Sequence, residues 1–386
     1  MDSRLFWLAA AAFVGAIEGG LIAGLLPLIS ADLGVTLGHA GLVVLFYSIA
    51  YAFGPPFLAL VLGGVGRRRI LAGAEFAFAS CALLIVFMMT FDALVVVRTV
   101  LAVAAGTYTG TAMATAAMLA PYGKRGRYMQ VISMGQAIAA LAGVPLGAWL
   151  AAQFGWRIVY VMLAVMAGFA ALALYLKLPR GMMGDTLTIR DRLRVLRNPG
   201  VGRALLSTLL FMIGSSPLIV YIAALMSAVG VGYGALPLVL LAGGVGAIAC
   251  SATAGRMSDR YGSGRTATIA GIAVIAVMLI FVALPHVPPD LALPALMLTA
   301  GAQGFVVRTY SIAVASHMAQ IAPGAVPVAI SLNMSAFMIG MAVAAAVGGV
   351  VVDSWGAIAL PMIGAPLVAV ALLVWRSVPE GPDGEV

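Results

Sequence analysis

Three charged side chains interrupt long apolar stretches, and their types define the chemistry that the sequence could perform. Glu18 lies in the middle of Leu5–Ile29, which carries no other charge, and Arg98 and Arg308 lie inside two further apolar stretches. A carboxylate can bind and release a proton. A guanidinium can bind a carboxylate or a phosphate through paired hydrogen bonds. The pattern predicts proton transfer at Glu18 and, through Arg308, an anionic or zwitterionic substrate.

Two other interpretations of Glu18 remain open from its position alone. Leu5–Ile29 follows Arg4, as the apolar part of a secretory signal peptide follows a basic start, but the run is long and an acid in its middle argues against that class of segment. Glu18 could also be a structural residue, protonated or hydrogen-bonded to a neighbouring helix. Likewise, Arg308 could be the structural partner of a helix end.

The composition is that of a membrane protein. The 386 residues are 63% hydrophobic and 9% charged, with a mean hydropathy of +1.12, whereas soluble domains carry roughly 25% charged residues. Cys81 and Cys250 lie in apolar runs and suggest neither a disulfide framework nor a metal site. The three histidines are scattered, and no acidic metal cluster or phosphate-binding loop is apparent. The sequence therefore does not indicate an enzyme or a cofactor.

Apolar runs of roughly 20 residues, long enough to cross a bilayer as a helix, recur along the chain with short polar breaks. They predict an all-α membrane protein with twelve transmembrane helices in two pseudo-symmetric halves of six. The predicted spans are 5–29, 39–62, 70–90, 93–118, 129–151, 157–176, 203–227, 233–254, 266–285, 291–315, 326–350 and 357–376.

The basic residues fix the expected orientation. Almost all of the 21 Lys and Arg residues fall at the N-terminus, after every second span or at the C-terminal end of the last span. By the positive-inside rule, both termini are predicted to be cytoplasmic. The net charge of +8 is thus a topology signal and does not indicate nucleic acid binding. The longest loop, 177–203, is expected to be cytoplasmic and to separate an N-terminal half, 1–176, from a C-terminal half, 204–386.

Stripes of small residues recur in the two halves and predict close helix packing. The fifth span has Gly or Ala at every fourth position from Gly135 to Gly147, and the eleventh repeats this from Ala336 to Gly348. The eighth span has a similar stripe, Gly243, Ala247, Ser251 and Gly255. Chance in Ala- and Gly-rich helices is the alternative. Two similar six-helix repeats are typical of secondary transporters.

Polar side chains concentrate in the first, fourth, seventh and tenth spans, which predicts a water-filled cavity lined by these helices. Polar contacts between helices are the alternative, but they explain two intramembrane arginines poorly. The third span is nearly apolar, with Glu75 expected to lie close enough to the inner surface to reach water. The predicted substrate-binding residues of the cavity are Tyr108, Tyr221, Gln303, Arg308 and Tyr310.

Several motifs, in order and in the right spans, resemble the major facilitator superfamily over the whole chain, and its drug:proton antiporter and sugar-efflux branch in particular. Glu18 precedes Gly24–Pro27, as in that branch, and Arg98 matches the arginine of the fourth helix. The chain departs from the family at Gly63, which replaces the usual Asp of the first cytoplasmic motif, and at Arg308. The matching gating and motif residues are Gly66, Arg67, Arg68, Gly143, Pro145, Gly147, Asp259 and Arg260.

The resemblance implies proton-coupled efflux of a drug, sugar or metabolite by alternating access, with Glu18 and Arg98 in proton coupling. It further implies a monomer in the bacterial inner (plasma) membrane whose partners are protons, the lipid bilayer and a small-molecule substrate. The alternatives are proton- or ion-driven uptake of a small metabolite, such as an anionic one, on the same fold, and a non-transporting membrane receptor. A receptor would have no polar cavity and usually a soluble output domain.

Overall fold

The computed structural model describes residues 3–121, 124–182 and 198–379, and these are helical apart from short turns and connections. Apolar side chains dominate throughout, so backbone groups can be satisfied only inside helices if the chain lies in lipid. The helices are α1 Ser3–Leu33, α2 Leu37–Ala40, α3 Leu42–Val61, α4 Arg67–Ile85, α5 Phe91–Leu119, α6 Arg125–Ile138, α7 Val144–Phe154, α8 Trp156–Lys177, α9 Pro199–Val220, α10 Ile222–Ala228, α11 Leu236–Tyr261, α12 Ser263–Ala283, α13 Pro289–Ile321, α14 Val326–Trp355 and α15 Ala359–Trp375.

Each predicted span coincides with helix, and 10 helical segments in the described part of the chain are long and apolar enough to cross a membrane. Two predicted spans fall outside that set. α4 begins with three arginines and contains Glu75, and α15 has 17 residues. The all-helical membrane architecture is therefore confirmed, and the count of twelve spans stays a prediction.

Three predicted spans are interrupted rather than continuous. The second is broken at Gly41, between α2 and α3, and the seventh at Tyr221, where φ of −109° and ψ of 28° leave the helical region. The fifth contains a π-helical turn, Ala139–Gly143, between α6 and α7. Pro145 follows this turn and has no N–H to donate, so a regular α-helix would leave one carbonyl oxygen here without its donor. The π-helical turn changes which N–H group pairs with each carbonyl oxygen at this point.

The chain forms two compact units. Unit 1 comprises Met1–Thr36 and Leu42–Thr186, and unit 2 comprises Leu37–Gly41 and Leu187–Val386. One boundary between the units lies in the predicted 177–203 loop, of which residues 183–197 lie outside the described residues. Leu37–Gly41, which belongs to the predicted N-terminal half, is instead grouped with unit 2. In unit 2, the Gly38 N–H donates a hydrogen bond of 3.0 Å to Asp353 Oδ1, which ties α2 to α14.

In unit 1, the predicted small-residue stripe packs against α1. A Cβ atom on Gly143 would lie 2.5 Å from Ile17 Cγ1, and one on Gly147 would lie 2.6 Å from Leu21 Cδ2. Gly135 meets the backbone of Ala9 in the same way. The three pairs keep a constant sequence offset, as expected for parallel helices. Only glycine allows α1 and α6–α7 to approach this closely.

Unit 2 repeats this arrangement with α14 packed against α9. A Cβ atom on Gly340 would lie 2.6 Å from Met212 Cβ and 2.8 Å from the carbonyl oxygen of Leu209. One on Gly348 would lie 2.9 Å from the Tyr221 ring. Left-handed glycines also recur at matching positions, Gly34 with Gly230 and Gly155 with Gly356, with φ between 66° and 84°. The same backbone turns therefore recur inside the two units.

The stripe predicted on the eighth span is only partly correct. The tightest contact there is made by Gly246, which lies outside the predicted stripe and whose Cβ would lie 2.8 Å from the carbonyl carbon of Gly301 on α13. Gly304 of α13 in turn meets the backbone of Gly243. A Cβ built on Gly255 would meet no atom of another described element within 4 Å. The contact face is therefore rotated from the predicted one and ends before the C-terminal part of α11.

Candidate functional site

Unit 1 brings Glu18 and Arg98 together in an ion pair between α1 and α5. Arg98 Nη2 donates to Glu18 Oε1, and the two residues are 0% and 2% exposed. The antiparallel helices α1 and α5 place the two side chains at one level although 80 residues separate them. A fully buried ion pair is rare in soluble and membrane proteins because two charges lose their hydration.

This ion pair is only partly satisfied. Glu18 Oε2 and the Nε and Nη1 atoms of Arg98 are buried and have no hydrogen-bond partner among the described residues. A bidentate carboxylate–guanidinium pair would use both oxygens. Here Oε2 of the acid and two guanidinium nitrogens lack a well-formed hydrogen bond within the described residues, although the Tyr47 hydroxyl is close enough to the carboxyl to interact with it. Buried polar groups without a partner are uncommon in folded proteins, so each calls for a specific explanation.

Two tyrosine rings complete the surroundings of Arg98. Its guanidinium carbon lies 5.2 Å from the ring centroid of Tyr47 on α3 and 5.9 Å from that of Tyr160 on α8. These cation–π contacts stabilise the guanidinium where water cannot. Neither tyrosine was predicted, because neither stands out in its apolar span and the sequence does not show which helix faces meet.

The contacts of α1 with the glycines of α6–α7 fix the depth and rotation of Glu18. Ile17 and Leu21, which flank it in α1, are the residues that pack on Gly143 and Gly147. A Cβ atom on Gly20 would lie 2.8 Å from Val144 Cγ2, so the α6–α7 face supports α1 on both sides of the acid. The side chain of Glu18 is thereby directed to α5 rather than to lipid.

The structure places the three tyrosines of the predicted substrate site in helix-packing contacts. The Tyr108 hydroxyl donates to the Leu8 carbonyl oxygen at 2.6 Å, and the Tyr221 hydroxyl donates to that of Ala345 at 2.6 Å. Tyr310 stacks on Phe211 with a centroid separation of 3.6 Å, and its hydroxyl lies 2.9 Å from Ser207 Oγ. All three are 1–2% exposed. Their place among the polar side chains of the fourth, seventh and tenth spans predicted a binding site, yet each hydroxyl already has a protein partner.

The other two predicted substrate residues, both on α13 of unit 2, remain available for a ligand. Gln303 is 8% exposed, and its Oε1 accepts no hydrogen bond within the described residues. Arg308 is exposed and makes no hydrogen bond or ion pair with any residue of the described ranges. It lies about 5 Å along the axis from the midpoint of the helix, at 1.5 Å per residue. Arg308 therefore differs from Arg98 in both exposure and pairing.

The predicted motif residues lie at helix ends. Gly66 precedes α4, the Arg67 N–H donates to the Met182 carbonyl oxygen at 2.8 Å, and the Arg68 guanidinium lies 4.4 Å from the Tyr175 ring centroid. Asp259 and Arg260 are exposed in the last turn of α11. Pro145 is buried in the first turn of α7.

The expectation that Glu75 reaches water is wrong, because Glu75 is 2% exposed. Side chains from the surrounding helices cover Glu75. The position of Glu75 along its own helix could not predict this burial. Across residues 3–121, 124–182 and 198–379, no three His, Cys, Asp or Glu side chains are grouped to hold a metal ion.

The sequence also matches a known protein family. The family model described as "Major Facilitator Superfamily" matches residues 8–293 and 204–386. The chain belongs to the Major Facilitator Superfamily. It is therefore a multi-pass membrane transporter and not an enzyme. Within the superfamily, it is similar to solved structures of the nucleoside transporter NupG, one of them with a TM-score of 0.80, 14% identity, and coverage of 97% of this chain and 99% of that one. At this identity, the likeness shows the fold alone.

Curated relatives in the superfamily match most of the chain. The uncharacterized MFS-type transporter YtbD of Bacillus subtilis is 27% identical over 98% of this chain and 96% of its own length. The inner membrane transport protein YdhP of Escherichia coli is 28% identical over 93% and 92%. A chloramphenicol resistance protein of Streptomyces lividans is 31% identical over 67% of this chain and 68% of its own length.

Proposed function

We propose that this superfamily member is a proton-coupled exporter of a small organic molecule, with Glu18 as the proton-carrying residue. The observation that carries the proposal is the buried, half-satisfied pair of Glu18 and Arg98. Because the pair is inaccessible to water here, ionised Glu18 is favoured only while Arg98 faces it. A proton on Oε2 would remove the attraction and release the guanidinium to another acceptor.

This exchange provides a physical basis for coupling. When Glu18 is ionised, Arg98 is held by it. When Glu18 is protonated, Arg98 requires another partner, and α1 and α5 no longer attract each other at this level. Alternating access then exposes the carboxyl first to one side of the membrane and then to the other, so that it takes up a proton on one side and releases it on the other. Because Ile17 and Leu21 pack directly on the glycine stripe, a shift of α1 would also displace α6 and α7.

Two observations support export over import. The Gly143–Gly147 segment resembles the fifth-helix antiporter motif, and it packs directly on the helix that carries Glu18. The relative from Streptomyces lividans is named a chloramphenicol resistance protein.

We also propose that the chain lies in a bacterial inner membrane with both termini inside. The residues of the proposed coupling site all come from one chain, so a monomer suffices.

At the substrate end, we propose Arg308 and Gln303 as binding residues. An exposed arginine near the middle of a membrane helix is costly against lipid, so it is expected to face a water-filled space or a ligand. A carboxylate or phosphate on the substrate would satisfy it through two hydrogen bonds. The amide oxygen of Gln303 can accept a hydrogen bond from the same ligand or a second one.

Transport into inside-out membrane vesicles tests direction and coupling together. We would offer radiolabelled chloramphenicol and a panel of small aromatic carboxylates, with and without an imposed proton gradient. The proposal predicts gradient-dependent accumulation of at least one probe, abolished by a protonophore. Gradient-driven accumulation in right-side-out vesicles would instead establish uptake, and transport insensitive to the protonophore would exclude proton coupling.

A further inference from the structure

Glu75 is a second acid that unit 1 buries, and the proposed cycle does not use it. It is 2% exposed on α4, one turn from Leu71 and Ala72, which belong to the apolar cluster between α1, α4, α5, α6 and α8. Residues three and four apart share one face of a helix, so Glu75 faces the same cluster. The Tyr108 hydroxyl is close enough to interact with it electrostatically, but it already donates to the Leu8 carbonyl oxygen.

Glu75 lies well away from Glu18 along the helix axes. Leu8 is ten residues before Glu18 in α1, and its partner Tyr108 is ten residues after Arg98 in α5. At 1.5 Å per residue, the level of Glu75 is about 15 Å from the level of the ion pair. It lies towards the N-terminal end of α1, which is the cytoplasmic end in the proposed topology. The two acids are therefore separate sites and not a carboxylate dyad.

Within the described residues, no cation forms an ion pair with Glu75. Its Oε2 is buried without a hydrogen-bond partner, and the residue makes no ion pair with any other in the described ranges. The helices packed around the cluster also carry other titratable and charged groups, and in the described residues no hydrogen bond or ion pair joins any of them to Glu75. They include Arg98 and Tyr108 on α5, Arg125, Arg127 and Tyr128 on α6, Tyr160, Tyr175 and Lys177 on α8, Arg4 and Glu18 on α1, and Arg67, Arg68 and Arg69 at the start of α4.

An ionised carboxylate in this position would lose its hydration without gaining an ion pair from any described residue, and burying an unpaired charge is very costly. Holding a proton removes that cost. We propose that Glu75 is a second proton-binding site, and that its proton exchanges with cytoplasmic water when α1 and α5 part from α4 during transport. In this step the carboxyl O–H bond breaks, the proton goes to water, and the carboxylate remains until it is protonated again.

Infrared spectroscopy of the protein reconstituted in lipid tests proton occupancy without any substrate. The C=O stretch of a protonated carboxyl is distinct from the bands of a carboxylate. At neutral pH, we expect such a band in the wild type and in Glu18→Gln, and its loss in Glu75→Gln. Asp92→Asn, which removes an exposed acid, is the matched control and should leave the band unchanged. A wild-type spectrum identical to that of Glu75→Gln in this region would overturn the proposal.

Exchange and transport readouts separate a working proton site from a fixed, structural proton. Transfer to D2O should shift the Glu75 band. The shift should be faster when a proton gradient and a transported probe are both present than when they are absent. A band that never shifts would also overturn the proposal. This inference adds to the proposed proton-coupled cycle, but the two can fail separately. If Glu18→Gln transports uphill while the band exchanges, only the role of Glu18 is lost. If Glu75→Gln still moves as many protons per substrate as the wild type, only the role of Glu75 is lost.

Discussion

At the residue scale, the central feature is that Glu18 and Arg98 are completely buried yet only partly bonded. A structural ion pair is most stable when every donor and acceptor is satisfied. In this pair, Oε2 of the acid and two guanidinium nitrogens lack partners within the described residues, and the Tyr47 and Tyr160 rings supply weaker contacts. The pair is thus suited to being made and broken, which is what a proton carrier requires.

Removing one member of the pair should cost more stability than removing both. Arg98→Met would leave a buried carboxylate without its cation, and breaking a buried pair costs about 3–5 kcal/mol. The double variant Arg98→Met/Glu18→Gln leaves no charge and should recover a large part of that loss. Thermal unfolding of the purified variants measures both. A double variant no more stable than the single one would show that the two side chains do not interact energetically.

Arg308 should govern substrate affinity and not coupling. Arg308→Gln removes the charge and should weaken binding of an anionic probe by at least about 10-fold, the factor that corresponds to 1.4 kcal/mol and is within the range for a charged hydrogen bond. Arg308→Lys keeps the charge but loses the bidentate geometry, so its affinity for the probe should lie between those of the wild type and Arg308→Gln. Binding of each carboxylate probe and its uncharged amide should be compared by calorimetry. Equal loss for the acid and the amide would contradict direct recognition of the anion.

At the element scale, the glycine face of α6 and α7 determines where α1 lies. Gly135, Gly143 and Gly147 meet Ala9, Ile17 and Leu21 in register, and the π-helical turn before Pro145 falls within the same face. Since Ile17 is adjacent to Glu18, the depth and rotation of the acid depend on this contact. In unit 2, Gly340 and Gly348 hold α14 on α9 by the same device.

Gly143→Leu and Gly340→Leu should therefore abolish transport and lower stability by about 1–3 kcal/mol or more, as overpacking does. Gly147→Leu should be milder, because its nearest neighbour is the end of the flexible Leu21 side chain. Gly168→Leu is the matched control, since a Cβ there meets nothing within 4 Å. Transport and thermal unfolding are measured on inserted protein. Normal transport by Gly143→Leu would show that close approach of α1 is not needed.

At the scale of the whole molecule, the distribution of Lys and Arg predicts the side of the membrane on which each loop lies. In a variant lacking Cys81 and Cys250, a cysteine at position 185 should resist an impermeant maleimide added to intact cells. Asp290→Cys, exposed at the start of α13 on the predicted outer side, should react. Labelling at 185 with protection at 290 would invert the topology.

Much of this organisation could be predicted from the sequence because it follows from hydrophobicity and residue size. The helices, the repeated glycine stripes and the isolation of Glu18 are all local properties of the chain. What could not be predicted depends on which helix faces meet. The contact of Arg98 with Tyr47 and Tyr160, the burial of Glu75, the hydrogen bonds of the three tyrosines and the rotated face of α11 all require the rotation of each helix, which the apolar pattern of a membrane span does not encode.

The central claim is that Glu18 carries the proton, and uphill transport tests it most directly. Wild type and Glu18→Gln would be reconstituted in proteoliposomes, and transport of a probe identified in the vesicle screen would be followed under an imposed pH gradient. Glutamine retains the size of the side chain and its hydrogen-bonding capacity but cannot titrate. The account predicts that Glu18→Gln loses gradient-driven accumulation while still binding the probe and exchanging it down its concentration gradient. Full uphill transport by Glu18→Gln would contradict it.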